Sequence, residues 1–214
     1  MEKATLVTIP TIVHLMLAED SVFPEHNKEV AATEELFPKF LAPADHQKNV
    51  NSIWNQAGVQ FRLDGIDTVK YHLKDFGAEP GVNREEITFA CSAPPTEEEK
   101  KKAHEWQDKF GIKGFRGLQV FVLARIISKG GDAAMAGCAI SQLDGGVTGS
   151  AWLDAPGARD STGVRLMAHE IGHFLSLRHV QDPTHLMNAD SQGNDLSPDE
   201  IKQASKRAVD LMTK

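Results

Sequence analysis

The sequence predicts an α+β domain, and three stretches carry that expectation. Leu118 to Ile127 (LQVFVLARII) is apolar on both faces and reads as a central strand. Val164, Met167, Ala168, Ile171 and Leu175 recur at the spacing of a buried helical stripe. Ser197-Pro198-Asp199-Glu200 is a capping box with proline at the first helical position. It announces a terminal helix whose face of Ile201, Ala204, Ala208 and Leu211 packs the tail onto the body. A chain of 214 residues suffices for a single domain, 1–214, with a sizeable core.

Taken in order, Thr5 to Leu17 is rich in β-branched residues and reads as a strand interrupted near Pro10, with His14 partly buried. Glu19 to Pro43 carries acids and scattered prolines, as a loop with some helix would. Asp45 is the expected N-cap of a core helix bearing Val50, Ile53, Trp54 and Ala57, which Gly58 ends. Val59, Phe61 and Leu63 alternate with polar residues as a second strand. It resumes through Val69, Tyr71 and Leu73 after a turn at Asp64-Gly65, with His72 exposed. Thr96 to Lys109 starts acidic and continues basic, the order a solvated helix favours through its dipole. Between residues 130 and 154 glycines and small residues dominate, which suits short strands and tight turns at a sheet edge. That edge is either an ordinary hairpin or a place where an extended peptide pairs.

Charge and composition exclude several roles. With 30 acidic against 23 basic residues the net charge is −7, so neither nucleic acid nor an anionic membrane surface is an expected partner. Apolar runs are far shorter than a membrane span. The start Met1-Glu2-Lys3-Ala4 lacks the apolar core of a signal peptide, as in a cytoplasmic chain or a mature form restarted with methionine. The two cysteines, Cys91 and Cys138, are either buried thiols or one bridge, and neither sits in a nucleophile setting.

The stretch Ala168-His-Glu-Ile-Gly-His-Phe-Leu-Ser-Leu-Arg-His179 concentrates the chemistry. His169 and His173, four residues apart on a helix, stack on one face and can share zinc, with Glu170 beside the first. The wheel sets both histidines opposite the apolar stripe, facing a cleft. His179 joins them only if the helix breaks. Ten helical residues rise about 15 Å, whereas nitrogens bound to one zinc ion can be at most about 4 Å apart. The chain must therefore turn between His173 and His179.

His169-Glu170-x-x-His173-x-x-Ser176-x-x-His179 followed by Met187 resembles the metzincin clan of zinc endopeptidases, with matrixins and pappalysins nearest. Leu186-Met187 and Leu196-Ser-Pro-Asp-Glu-Ile201 also look like the matrixin tail, so the likeness spans roughly residues 164–201. The resemblance implies a zincin-like fold: a twisted mixed β-sheet, an active-site helix, a methionine turn and a C-terminal helix. It also implies a sheet-bearing upper lobe, 1–175, and a small lower lobe, 176–214. His169, His173 and His179 would hold zinc, Glu170 would be the general base, and Met187 a hydrophobic floor. Two departures stand out. Ser176 occupies the usual glycine of the turn, at a cost of about 1 kcal/mol if its φ is positive. Tyr71 is the only tyrosine, so none follows the methionine as in several metzincins. No inhibitory cysteine-switch segment is recognisable.

The expected function is zinc-dependent hydrolysis of peptide bonds inside proteins or peptides bound in extended form along the edge strand, by a monomer. The family likeness suggests a secreted or extracytoplasmic setting. The alternatives are a zinc-stabilised binding module without catalysis and hydrolysis of a non-peptide amide. His185 is a spare histidine near Met187: it is a further ligand candidate, although three others already fit, or it lines the specificity pocket or is solvated. The acids of 188–196, with Asp144 and Asp154, are a calcium option, although no EF-hand pattern is present.

Overall fold

The computed structural model describes residues 6–21, 23–44, 49–76, 87–88, 97–127, 137–141, 148–159, 163–189 and 193–213. Its strands are β1 (Val7–Ala18), β2 (Val59–Tyr71), β3 (Ile87–Thr88), β4 (Gly117–Leu123), β5 (Ile126–Ile127), β6 (Gly137–Ser141) and β7 (Thr148–Asp154). Its helices are α1 (Pro24–Ala31), α2 (Phe37–Phe40), α3 (Val50–Trp54), α4 (Glu97–Phe110), α5 (Ala155–Arg159), α6 (Gly163–Phe174) and α7 (Pro198–Thr213). The main sheet is mixed and has the order β2-β1-β4-β7-β6. Four of its strands run parallel, and β6 pairs antiparallel to β7 at the edge, where the glycine-rich sequence predicts short strands. None of the described helices is long and apolar enough to cross a membrane.

Alternation along the strands builds two cores. Ile9, Val13 and Leu15 of β1, Leu118, Val120 and Val122 of β4, and Ala151 and Leu153 of β7 join one cluster, which also takes in the apolar sides of α6 and α7. Met16, Phe121, Leu123 and Trp152 belong to the opposite cluster, together with Ala103, Trp106 and Phe110 of α4. Every residue of β4 is buried, as a middle strand covered on both faces requires. That strand ends at Leu123, and Ile126–Ile127 pair instead with β3.

Several expectations are corrected, each for a tertiary reason. Pro10 does not interrupt β1. The pairing with β4 starts at Thr11, so at Pro10 only the β2 side is laddered and a missing N–H is tolerated. Asp64-Gly65 is not a turn but a β-bulge: Thr11 pairs Leu63, Ile12 pairs Gly65, and Asp64 is the extra residue. Arg62 holds that carboxylate through two hydrogen bonds of 2.6 and 2.9 Å, and β2 continues to Tyr71. Leu73 lies beyond the strand in a 3-10 turn.

His14 is fully buried, between Asp67 at 2.6 Å and Gln119 at 2.9 Å, stacked on Phe121. Asp45 lies outside the described residues. The cap of α3 is Asn49, whose side chain accepts from the Ser52 N–H while Ser52 answers the Asn49 N–H. Gly58 does end this segment, with φ 64. α4 is helical as expected but not wholly solvated, since Ala103 and Trp106 are buried. The terminal capping box forms as read: the Ser197 N–H donates to Glu200 Oε2 at 2.7 Å, and the Glu200 N–H to Ser197 Oγ at 3.2 Å. Ala204, Ala208 and Leu211 then bury α7 in the first core. Cys91, Asp144, Gly130, Gly131 and the side chains of Cys138 and Asp154 lie outside the described residues.

Candidate metal centre

Helix α6 carries Met167, Ala168 and Ile171 into the core with no exposure and Val164 half-buried, and Leu175, just past its end, is buried with them as the stripe predicts. The helix lies against β6 and β7, at the edge side of the sheet. His169 and Glu170 are also buried, His173 is half-buried and His179 is exposed, so the site opens towards solvent at its third histidine.

The predicted break is present and falls at Ser176, which has φ 68. The Ser176 N–H donates to His173 O at 2.8 Å and the Leu177 N–H to Gly172 O at 2.9 Å. These two bonds are the Schellman closure of a helix end, with serine in the left-handed position that glycine usually holds. Gln203 of α7 donates to the Ser176 carbonyl and ties the turn to the terminal helix. Ser176→Gly is expected to stabilise the metal-free protein by about 1 kcal/mol, reduced somewhat by the freer unfolded chain. Thermal melts would show this as a rise of about 2–4 °C. A fall in the melting temperature would mean that the serine side chain helps to hold the turn.

The turn brings the three rings together. His179 Nε2 stands 3.2 Å from His169 Nε2 and 3.0 Å from His173 Nε2. His169 Nδ1 donates to Leu186 O at 2.8 Å, and His173 Nδ1 donates to Leu177 O at 3.0 Å. A carbonyl can only accept, so both rings carry their proton on Nδ1 and present a bare Nε2 lone pair. His179 has at most one N–H to offer these two lone pairs, so hydrogen bonding alone leaves the cluster unsatisfied. A cation satisfies all three. Nitrogens bound tetrahedrally to zinc at about 2.05 Å lie about 3.4 Å apart, close to the spacing here. Among the described residues these three histidines are the one group able to hold a metal ion. Among the described residues, which leave out Asp144 and the side chain of Asp154, the calcium option finds no support.

Burial lowers His169 to about 3 and His173 to about 4, with the neighbouring rings adding to the effect, so both are neutral at neutral pH. Neutral imidazole is the form that ligates. Burial pushes Glu170 up to about 8, opposed by the charge of Arg165, and its Oε2 is buried without a hydrogen-bond partner. A nearby dication would draw that value down.

Met187 is buried against the same helix. A Cβ on Gly172 would come within 2.2 Å of the Met187 sulfur, so glycine inside α6 makes room for the methionine beside His173. The Val180 N–H donates to Met187 O at 3.1 Å, and the Asn188 amide donates to Val180 O at 3.2 Å and Gln181 O at 3.0 Å. The segment after His179 is thus laced to the methionine loop. Sequence reasoning missed Gly172, although an isolated glycine within a helical pattern is a packing signal. It also missed Arg165 and the carbonyls of Leu177 and Leu186, and carbonyls leave no trace in residue identity. His185 is neither simply solvated nor a ligand of this group: its Nδ1 lies 3.2 Å from Glu200 Oε2, at the cap of α7. Tyr71 packs in the opposite core against Phe110, so the site has no tyrosine.

No family model and no curated protein matches the chain. Among solved structures, it is similar to archaemetzincin from Methanopyrus kandleri, at 14% identity and TM-score 0.49 over 97% of this chain and 98% of that one. It is also similar to metalloproteinase-II from Bacteroides fragilis, at 16% identity and TM-score 0.46 over 97% of this chain and 55% of that one. A zinc-dependent peptidase from Methanocorpusculum labreanum matches at 14% identity and TM-score 0.38 over 94% of this chain and 99% of that one.

Proposed function

We propose that the chain is a zinc-dependent metallopeptidase of metzincin type that cleaves peptide bonds within proteins or peptides. The observation that carries this reading is the convergence of His169, His173 and His179, with two Nε2 lone pairs fixed by carbonyl acceptors on the far side of their rings. Three neutral imidazoles leave the full charge of zinc and an open coordination position, the pattern of a catalytic rather than a closed structural site. Zinc bound there supplies Lewis acidity and lowers the pKa of water from about 15.7 towards 7.

The remaining work falls to the chain. Glu170, next to the first ligand on α6, is the general base: its carboxylate takes the proton from the attacking water and passes it to the leaving amine. Its burial keeps bulk water from competing for that proton. The backbone of β6, at the sheet edge and against α6, is where an extended substrate would add as a further strand, register being set by main-chain hydrogen bonds. Met187 is a hydrophobic floor packed against Gly172 of α6, between the two ligand positions in sequence.

Incubation of the purified, zinc-loaded chain with an unfolded protein and a mixed peptide library tests the reading. Internal cleavage is expected, lost on chelation and restored by zinc. A chain that binds zinc but cleaves no member of the library would instead be a zinc-stabilised binding module, and the proposal would fall.

A further inference from the structure

We propose that Arg165 is a positioning residue that splices the helix bearing two ligands to the loop bearing the third, setting both the tautomer of His169 and the placement of His179. The inference rests on the reading of the three histidines as a zinc site.

Arg165 lies one helical turn before His169 and on the same face of α6. Its Nε donates to Gly193 O at 3.1 Å, and its terminal nitrogen donates to Leu186 O at 3.0 Å and Asn188 O at 2.6 Å. One planar fork therefore grips the main chain on both sides of Met187. The Leu186 carbonyl is the shared element, because it also accepts the Nδ1 proton of His169. A carbonyl oxygen has two lone pairs, and here one is held by the guanidinium and the other by the ligand ring. Arg165 thus fixes the acceptor that fixes the histidine.

The same grip reaches the third ligand. Asn188, held through its carbonyl by Arg165, donates from its side chain to the carbonyls of Val180 and Gln181, and Met187 O accepts the Val180 N–H. Movement of 186–188 away from α6 would carry 180–181, and with them His179, away from the other two rings. A lysine at this position keeps the charge but carries its three donors on one nitrogen, without the planar fork that reaches Gly193 O from one nitrogen and Leu186 O and Asn188 O from another. Arg165 touches none of the reacting atoms in this arrangement: its hydrogen bonds go to the carbonyls of Leu186, Asn188 and Gly193, and only its charge reaches Glu170.

The test compares wild type with Arg165→Gln and Arg165→Lys, reading zinc affinity by competition with a chromophoric chelator and coordination geometry by the visible absorption of the cobalt(II)-substituted proteins. Arg165→Gln is expected to lose about 10- to 100-fold in zinc affinity with a changed cobalt spectrum, and Arg165→Lys to recover only part of each. Folded variants that keep the wild-type affinity and cobalt spectrum would overturn the proposal and leave Arg165 a simple loop strut. Should the variants not fold, nitrogen-15 NMR of wild-type histidines without metal decides: His169 protonated on Nδ1 supports the proposal, and protonation on Nε2 overturns it. Wild type that takes up neither ion would refute the zinc reading itself, a result distinct from metal-binding variants that behave like wild type.

Discussion

Glu170→Gln is expected to keep zinc bound while lowering the rate of peptide hydrolysis by about 10²–10⁴-fold, the usual worth of a positioned general base. Glutamine matches glutamate in shape and removes only the ability to take a proton. Glu170 is 5% exposed, so the neutral amide also avoids burying a charge, and loss of fold is not the expected route to inactivity. The measurement is kcat on a cleaved peptide together with the zinc content of the same sample. Full activity in the variant would assign the base elsewhere. Loss of zinc would mean that Glu170 helps to hold the metal rather than to move a proton.

His179→Ala should separate the third ligand from the first two. Structural zinc sites with four ligands are worth about 10–16 kcal/mol, so one ligand carries about 3–4 kcal/mol, or roughly 10²–10³-fold in affinity. Hydrolysis should fall with zinc occupancy. Because His179 is exposed, the metal-free variant should melt within about 0.5 kcal/mol of wild type, as surface substitutions do. A chelator competition and a melt of the metal-free protein check the two halves. Unchanged zinc affinity would show that the turn at Ser176 does not deliver His179 to the metal. His169→Ala is a less clean probe, because it also removes the bond to Leu186 O and opens a buried space.

Much of the candidate site was legible because it is local. The spacing of His169 and His173 places two rings on one helical face through helix geometry alone. The need for a break before His179 followed from the rise per residue set against the size of a coordination sphere. The terminal capping box was equally readable, because Ser197 and Glu200 satisfy each other within one turn. Asp64-Gly65 misled for the opposite reason. Its composition favours a turn, yet β1 holds the segment on both sides and absorbs the extra residue as a bulge. Pro10 misled likewise, since whether a missing N–H matters depends on which neighbour lies alongside.

Residue identity and spacing determined that this chain contains a helix with two ring donors, a forced reversal and a third donor, whereas the methionine floor after it was implied only by the resemblance to metzincins. The tertiary structure decided how the rings are aimed. Leu186 O and Leu177 O choose the tautomers of His169 and His173, Arg165 holds the first of those carbonyls, and Gly172 admits Met187 beneath the helix. Carbonyl oxygens are the same in every residue, so no pattern of side chains announces which of them will face a histidine. That choice belongs to the path of the backbone, which residues distant in sequence fix together through packing and shared hydrogen bonds.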